Sequence, residues 1–380
     1  MTGLAAAVLI AWLYLICFRG NFDGPGPILP RARPRATPPV AIVVPARDEA
    51  ATIEPVIASL LAQDYEGPFR VILVDDHSTD ATAALASALP DPHHRLTILA
   101  SAPRPPGWAG KLWAVHQGTT ASHEELILLT DADITHEPTH LGTLVAGMEA
   151  TGAAMVSEMV RLNCRSLAER ALIPAFVYFF CLLYPFAWVN DPRRRTAAAA
   201  GGTILIRRHT LSGIGGIAAI KGALIDDVAL ARAVKPHAPI WLGHTNEACS
   251  IRRYGLADIW HMITRSAYVQ LRFSPLLLAG GVLGMLFLFV LPTVIFASDP
   301  PLSVTSWYLR IPLWLGPLYL SFQSFGRGTQ RYGFWASSLV PLLLPFITLF
   351  YLAATIASAL SHHLGRGVAW KGRAYPAGQA

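Results

Sequence analysis

Four clusters of acidic and polar side chains each follow a short apolar run. Val43-Val44-Pro45 leads into Ala46-Arg47-Asp48-Glu49, and Val71-Ile72-Leu73-Val74 leads into Asp75-Asp76-His77-Ser78-Thr79-Asp80. Residues 96–99 are followed, past a proline-rich stretch, by Ala109-Gly110-Lys111, and residues 126–129 run into Thr130-Asp131-Ala132-Asp133. Carboxylates crowded into one crevice repel each other, and they stay ionised at neutral pH only beside a cation or hydrogen-bond donors. Asp131 and Asp133, two apart, face the same side if the segment is extended. Two hard oxygen donors with other coordination positions left open suit Mg2+ or Mn2+ bridging substrate phosphates, and Lys111 adds charge for a diphosphate. The chain contains no GxxxxGK[ST] loop, which disfavours a P-loop nucleotidase. Ser78 and Asp80 are also good helix caps, but capping does not explain four clusters at once.

The elements that must hold these clusters alternate in type. Residues 40–45, 70–74, 96–99 and 126–130 read as strands, and residues 49–63, 79–89 and 111–120 as helices. Within 49–63 the apolar side chains Ile53, Val56, Ile57, Leu60 and Leu61 recur at helical spacing. Apolar strands alternating with helices predict a parallel sheet covered on both faces. Ligands of such sheets bind beyond the carboxyl ends of the strands, where all four clusters lie.

Composition sets the surroundings. Of 380 residues 53% are hydrophobic and 14% charged, against about 25% charged in soluble domains. That excludes a disordered chain and argues against a wholly soluble one. The net charge is +6, but residues 1–258 hold 22 basic and 23 acidic groups, and residues 259–380 hold 8 and 1. The basic character therefore accompanies the apolar end, as expected for contact with lipid headgroups rather than nucleic acid. Three stretches there, Pro275–Ala297, 307–325 and 334–360, approach or exceed the ~20 residues of a membrane-crossing helix. The middle one carries Arg310 and two prolines, which predicts a tilted, kinked or re-entrant segment. The apolar run 4–18 is followed by Arg19, Arg31, Arg33 and Arg35. By the positive-inside rule it reads as an uncleaved anchor that delivers the next segment to the cytoplasm, with a signal peptide as the alternative.

Residues 171–189 are apolar too, but contain Pro174 and Pro185 within the polar half. They read as a helix at the membrane surface or beneath the catalytic domain. Arg327 and Arg331 ask for an inside loop, as do Arg366, Lys371 and Arg373, and one crossing by 334–360 cannot satisfy both. The expected layout is an anchor at 1–20, a catalytic domain at 38–272, transmembrane helices at 273–362 and a basic tail at 363–380. Cys17, Cys164, Cys181 and Cys249 form no CxxC pair, so neither a zinc site nor a disulfide framework is expected.

Taken in order, the Pro45–Glu49 segment, Asp75-Asp76, Gly110-Lys111, Asp131-Ala132-Asp133 and Ile225-Asp226-Asp227 resemble the motifs of family 2 glycosyltransferases of GT-A fold. The match covers residues 40–235. The whole layout, with its closing Ala369-Trp370-Lys371-Gly372-Arg373-Ala374-Tyr375, resembles the membrane-anchored glycosyltransferases associated with hopanoid biosynthesis. Ceramide and carotenoid-type glycosyltransferases share much of it. The resemblance implies an α/β GT-A domain with a mostly parallel sheet, an N-terminal anchor and C-terminal transmembrane helices. It implies that Pro45, Ala46, Asp48 and Glu49 lie near the nucleotide base and ribose, and that Asp76, with Asp75 beside it, reads the base. It implies that Asp131 and Asp133 meet diphosphate and a divalent metal, Mg or Mn, and that Asp227, with Asp226 before it, is the general base. Where processive relatives carry Q-x-x-R-W, this chain has Gln270-Leu271-Arg272-Phe273. That departure favours addition of a single sugar; Arg265 and Arg272 remain candidates for the diphosphate.

The implied function is inverting transfer of one sugar from a nucleotide sugar, a UDP-sugar by expectation, to a lipid in hopanoid or related synthesis. The implied location is the inner cell membrane, multi-pass, with the catalytic domain in the cytoplasm. Its rivals are transfer to polyprenyl phosphate, ceramide or a carotenoid, and a non-catalytic membrane scaffold with a decayed transferase domain. A nucleic-acid partner is not expected, since Arg193-Arg194-Arg195 is the one dense basic run.

Overall fold

The apolar runs pair into one eight-stranded sheet. In the computed structural model, which describes residues 2–298, 307–365, 368–370 and 373–375, the strands are β1 (Val40–Ala46), β2 (Phe69–Asp75), β3 (Leu96–Ala100), β4 (Leu126–Thr130), β5 (Ile134–His136), β6 (Met155–Arg161), β7 (Thr203–Arg207) and β8 (Ile240–Ser250). Their order is β3-β2-β1-β4-β7-β6-β8-β5. The first four are parallel, as the alternation of strand and helix requires. Beyond them the sheet is mixed: β7 runs antiparallel to both β4 and β6, and β5 runs antiparallel to β8.

Contacts divide the chain into two compact units. The α/β unit comprises Pro27–Asn163, Trp188–Arg253 and Ala369–Ala380; the helical unit comprises Met1–Gly26, Cys164–Ala187 and Tyr254–Val368. In the α/β unit, Ile42 and Val44 face the helix Ile53–Leu61 through its buried Ile53, Val56, Ile57 and Leu60. Ala41, Ile72 and Val74 face the other way and pack with Ala114 of the helix Gly110–Thr120. Cover on both faces explains why these strands read as unbroken apolar runs.

The Gly110–Thr120 helix sits so close to β1 that a Cβ on Gly118 would lie 2.4 Å from Val43 Cγ1. Val43 is fully buried and stiff about χ1. Overpacking of this kind costs about 1–3 kcal/mol, and better helix propensity returns about 1 at most. Gly118→Ala is therefore expected to lower the Tm, as a thermal melt would read. An unchanged or raised Tm would refute the tight-contact argument.

In the helical unit the helices are Thr2–Phe18, Leu167–Leu183, Leu256–Gln270, Pro275–Met285, Leu291–Ser298, Trp307–Gly328 and Leu344–His363. Among the described residues two helical stretches are long and apolar enough to cross a membrane, Pro275–Ala297 and Trp335–His363. Thr2–Phe18 is an apolar helix of 17 residues. Trp307–Gly328 is continuous over 22 residues, and the Arg310 side chain lies outside the described residues. So does the basic tail, apart from His363–Gly365 and the backbone of a two-stranded ribbon, Val368–Trp370 with Arg373–Tyr375.

Two sequence expectations change here. The stretch 171–189 is not one helix: Leu167–Leu183 ends before Pro185, and Phe186–Asn190 forms a separate short turn of helix. Leu167–Leu183 packs inside the helical unit, where the Tyr178 hydroxyl lies 3.0 Å from Ser324 Oγ and the Tyr351 hydroxyl donates to Leu172 O at 2.8 Å. The helix Leu256–Gln270, expected within a catalytic domain ending at 272, also clusters there, because its buried Ile259, Ile263 and Tyr268 pack toward Leu344–His363. Arg327 is ion-paired with the fully buried Asp23. Part of its charge is thus spent on a structural partner, which weakens its value as a marker of membrane sidedness.

Candidate active site

The carboxyl ends of β1, β2 and β4 bring the predicted acids together. Lys111, in the first turn of Gly110–Thr120, reaches both Asp131 Oδ1 at 2.8 Å and Asp226 Oδ2 at 2.9 Å. Burial opposes its charge, but Asp131 and Asp226 more than offset that and raise its pKa above the usual lysine value. Asp226 and Asp227 open the helix Asp226–Val234. Asp227 Oδ2 accepts from the Gly201 N–H at 2.9 Å and Oδ1 from the Val228 N–H at 2.7 Å. Burial first, then the neighbouring Asp226, push the Asp227 carboxyl up to about 7, against the pull of Lys111 and those two N–H groups. Pro45, Lys111, Thr130, Asp131, Gly201, Asp226 and Asp227 line one crevice.

The Asp131–Asp133 segment is not extended. The Ile134 N–H donates to Asp131 O at 3.2 Å and closes a turn. Asp131 therefore engages Lys111, while Asp133 accepts from Ser250 Oγ at 3.2 Å. Burial, then the Asp131 carboxylate, push Asp133 up to about 6; Glu49 adds to this and Arg252 opposes it. A carboxyl pushed up by burial beside a second acid fits a place for a cation. Among the described residues no three His, Cys, Asp or Glu side chains converge as a ready metal cage. Two carboxylates that leave further positions to substrate oxygens fit Mg2+ or Mn2+.

A second cluster adjoins through Glu49. Ala46 O accepts from the Asp76 N–H at 2.8 Å, which joins the ends of β1 and β2. Asp48 sits in the left-handed region at φ 49°. Its Oδ1 accepts from the Thr79 N–H at 2.7 Å, which holds its carboxyl below the ordinary value. Ser78 N–H donates to Asp75 Oδ1 at 3.3 Å, and Glu49 N–H to Thr82 Oγ1 at 2.8 Å. Asp76 is buried, with Arg47 Nη1 donating to its carbonyl at 2.8 Å. Asp80 does cap locally, by accepting from Thr82 N–H at 3.0 Å.

Of the predicted residues, Pro45, Ala46, Asp48, Glu49, Asp75, Asp76, Lys111, Asp131, Asp133, Asp226 and Asp227 thus belong to this one unit. Arg265 and Arg272 belong to the helical unit: Arg265 is on Leu256–Gln270, and Arg272 lies past its end at φ 53°. The sequence reading missed Ser250 and Arg252, whose approach to Asp133 is long-range, and quoted Arg47 without giving it a role. The Gly201-Gly202 pair reads from sequence as a turn that lets the chain pass close to the substrate, and the Gly201 N–H meets Asp227.

A crevice at the ends of parallel strands, flanked by a base-like acid and a D-x-D pair, defines a GT-A glycosyltransferase, and known proteins bear this out. The profile of glycosyl transferase family 21 matches residues 2–379, so the chain belongs to that family, a member of the family 2 clan. It is 38% identical over 145 residues to the succinoglycan biosynthesis protein ExoO of Rhizobium meliloti (strain 1021), covering 36% of this chain and 40% of that protein. It is 24% identical over 193 residues to the probable glycosyltransferase YdaM of Bacillus subtilis (strain 168), covering 49% and 44%. The chain therefore spans about two fifths of the length of these relatives. Among solved structures, the mannosyltransferase PcManGT from Pyrobaculum calidifontis, in complex with GDP-Man and Mn2+, shares the fold. Its TM-score is 0.53 at 19% identity, over 95% of this chain and 98% of that one.

Proposed function

We propose that this chain is a membrane-bound inverting glycosyltransferase that moves one sugar from a nucleotide sugar to a lipid hydroxyl. The observation that carries the reading is Asp227, whose two oxygens are aimed by the Gly201 and Val228 N–H groups and whose carboxyl titrates near neutrality. A base of about that pKa is matched to taking a proton from a hydroxyl at pH 7. A phosphate acceptor, already ionised, would need no such base. Asp227 takes the acceptor proton as the oxygen attacks the anomeric carbon, and the nucleoside diphosphate leaves from the opposite face. Lys111 is proposed to follow the diphosphate, and Asp48, Asp75 and Asp76 are proposed to hold base and ribose. A divalent cation held by Asp131 and Asp133 would offset the charge on the departing group.

The two apolar helices support a membrane location, and a bilayer-held enzyme meets a lipid acceptor in two dimensions. Placement as a multi-pass protein of the inner membrane, catalytic unit in the cytoplasm, is part of the same proposal. Hopanoid-type lipids are the first acceptors to try, and UDP-sugars the first donors. The test is to incubate membranes holding the protein with a panel of labelled nucleotide sugars and to identify the product by mass spectrometry. A glycolipid is expected; a soluble product, or none with any donor, overturns the reading.

The pH profile gives a sharper check. Asp227 acts only when deprotonated, so kcat/KM is expected to fall as pH drops through about 7. Asp226 is one of the groups that raise Asp227. Asp226→Asn is therefore expected to move the acid limb to lower pH, and a limb that stays or moves up contradicts the assignment.

A further inference from the structure

Behind the crevice lies a chain of buried polar groups that the reaction does not use. Thr130 Oγ1 donates to Gly202 O at 2.8 Å and also lies 2.9 Å from His136 Nε2. His136 Nδ1 lies 2.8 Å from His140 Nδ1, and His140 Nε2 lies 2.7 Å from Glu158 Oε2. Thr130, His136, His140 and Glu158 are all buried, His140 completely. They come from four consecutive elements, β4, β5, the helix His140–Thr151 and β6, so the chain of bonds ties each to the next across one stretch of sequence.

The hydrogens can be assigned by elimination. A carbonyl only accepts, so the one proton of the Thr130 hydroxyl lies on Gly202 O. Thr130 must then accept from His136 Nε2–H, which leaves His136 Nδ1 as an acceptor. That nitrogen receives a proton from His140 Nδ1–H. One more proton lies between His140 Nε2 and Glu158. The three side chains together carry no net charge wherever that last proton sits, which makes full burial tolerable. Burial, with His140 second, holds the His136 pKa well below the ordinary histidine value, in keeping with a neutral ring.

We propose that this relay is a positioning device that fixes the spacing between the D-x-D acid and the base. Thr130 precedes Asp131. Gly202 follows Gly201, whose N–H aims Asp227. The Thr130–Gly202 bond therefore clamps the end of β4 to the entry of β7, and the relay fixes which way Thr130 points. Thr203 Oγ1 also donates to Gly202 O at 2.8 Å, and Ser157 Oγ to Ala200 O at 3.1 Å, so this entry is held from three sides. His136, His140 and Glu158 act through Thr130 and touch no reacting atom. The kinetic consequence rests on the transfer reading above; the proton assignment does not.

The test uses the full chain in lipid nanodiscs. Nitrogen NMR of histidine-labelled protein, assigned with His136→Asn and His140→Asn, is expected to show at pH 7 a neutral His136 protonated on Nε2, and His140 protonated on Nδ1. A His136 protonated on Nδ1, or charged, overturns the relay. Thr130→Val keeps the shape but removes the hydroxyl. It is expected to lower kcat about 10–100-fold, the scale of a small misplacement of reacting groups, with donor KM changed less than about threefold. Thr130→Ser restores the hydroxyl and is expected to stay within about threefold of the parent. In Glu158→Gln an amide N–H can donate to His140 Nε2, so it too is expected to hold, whereas Glu158→Leu is not. A fully active Thr130→Val, or equal losses in the valine and serine variants, overturns the positioning role. If the parent transfers no sugar, the transfer reading fails while the NMR still decides the relay.

Discussion

Asp227→Asn is expected to abolish turnover, with a loss of about 10²–10⁴ in kcat, while binding of the donor persists. The magnitude is that of general-base assistance, and the separation of the two effects follows from geometry. Asp227 accepts one backbone N–H on each oxygen. An asparagine there keeps one acceptor but turns an NH2 toward a backbone N–H, so one of these bonds is lost, at a cost of about 1 kcal/mol. Removal of a charge that burial and Asp226 already disfavour offsets part of that cost. The protein should therefore fold. The groups proposed to read the nucleotide, Asp48, Asp75 and Asp76, are held by Thr79, Ser78, Ala46 and Arg47 and do not depend on Asp227. Single-turnover kinetics beside calorimetric donor binding would separate the two quantities. Full activity in the variant removes Asp227 from the role, and loss of donor binding makes it a substrate ligand instead.

The acids after β1, β2 and β4 could be placed together from sequence because they follow apolar strands, and strand ends of a parallel sheet share one edge. Residues 40–130 yielded their four strands with ends right to within a residue, since burial on both faces leaves an unbroken apolar run. The first two helices came out longer than they are, and 111–120 came out one residue short. The predicted 49–63 begins at Ile53 because Asp48 turns through a left-handed conformation and residues 49–52 form a turn. What lay hidden was whatever depends on non-local pairing. The antiparallel β7 enters beside β4 from more than seventy residues away, and nothing local announces that Gly201 will aim Asp227. The His136–His140–Glu158 relay was invisible for the same reason: two histidines four apart carry no direction until β6 supplies the glutamate. The sequence left the place of 171–189 open because apolarity is the same signal whether a helix meets lipid or other helices.

Asp131→Asn is expected to separate function from stability in the opposite sense, with activity falling about 10²–10³-fold and Tm holding or rising. In the folded chain Asp131 repels Asp133, one of the causes that lift Asp133 to about 6. Its removal relieves that repulsion, and Lys111 keeps Asp226 as a partner at 2.9 Å. A residue whose role is to hold the fold would not behave this way. A residue kept beside a second acid for a divalent cation would, because Lys111 offsets only part of the repulsion before that cation arrives. The rate loss follows from the several kcal/mol that a Lewis acid contributes at a developing anion, with each 1.36 kcal/mol worth about tenfold. Removal of divalent metal with EDTA should reproduce the loss in the parent, and Mn2+ should restore the parent but recover Asp131→Asn only at much higher concentration. Thermal melts of both proteins, with and without Mn2+, complete the comparison: stabilisation by Mn2+ plus nucleotide is expected in the parent and reduced in the variant. Activity that survives EDTA, or an Asp131→Asn protein that melts far below the parent, would make the D-x-D pair a structural feature.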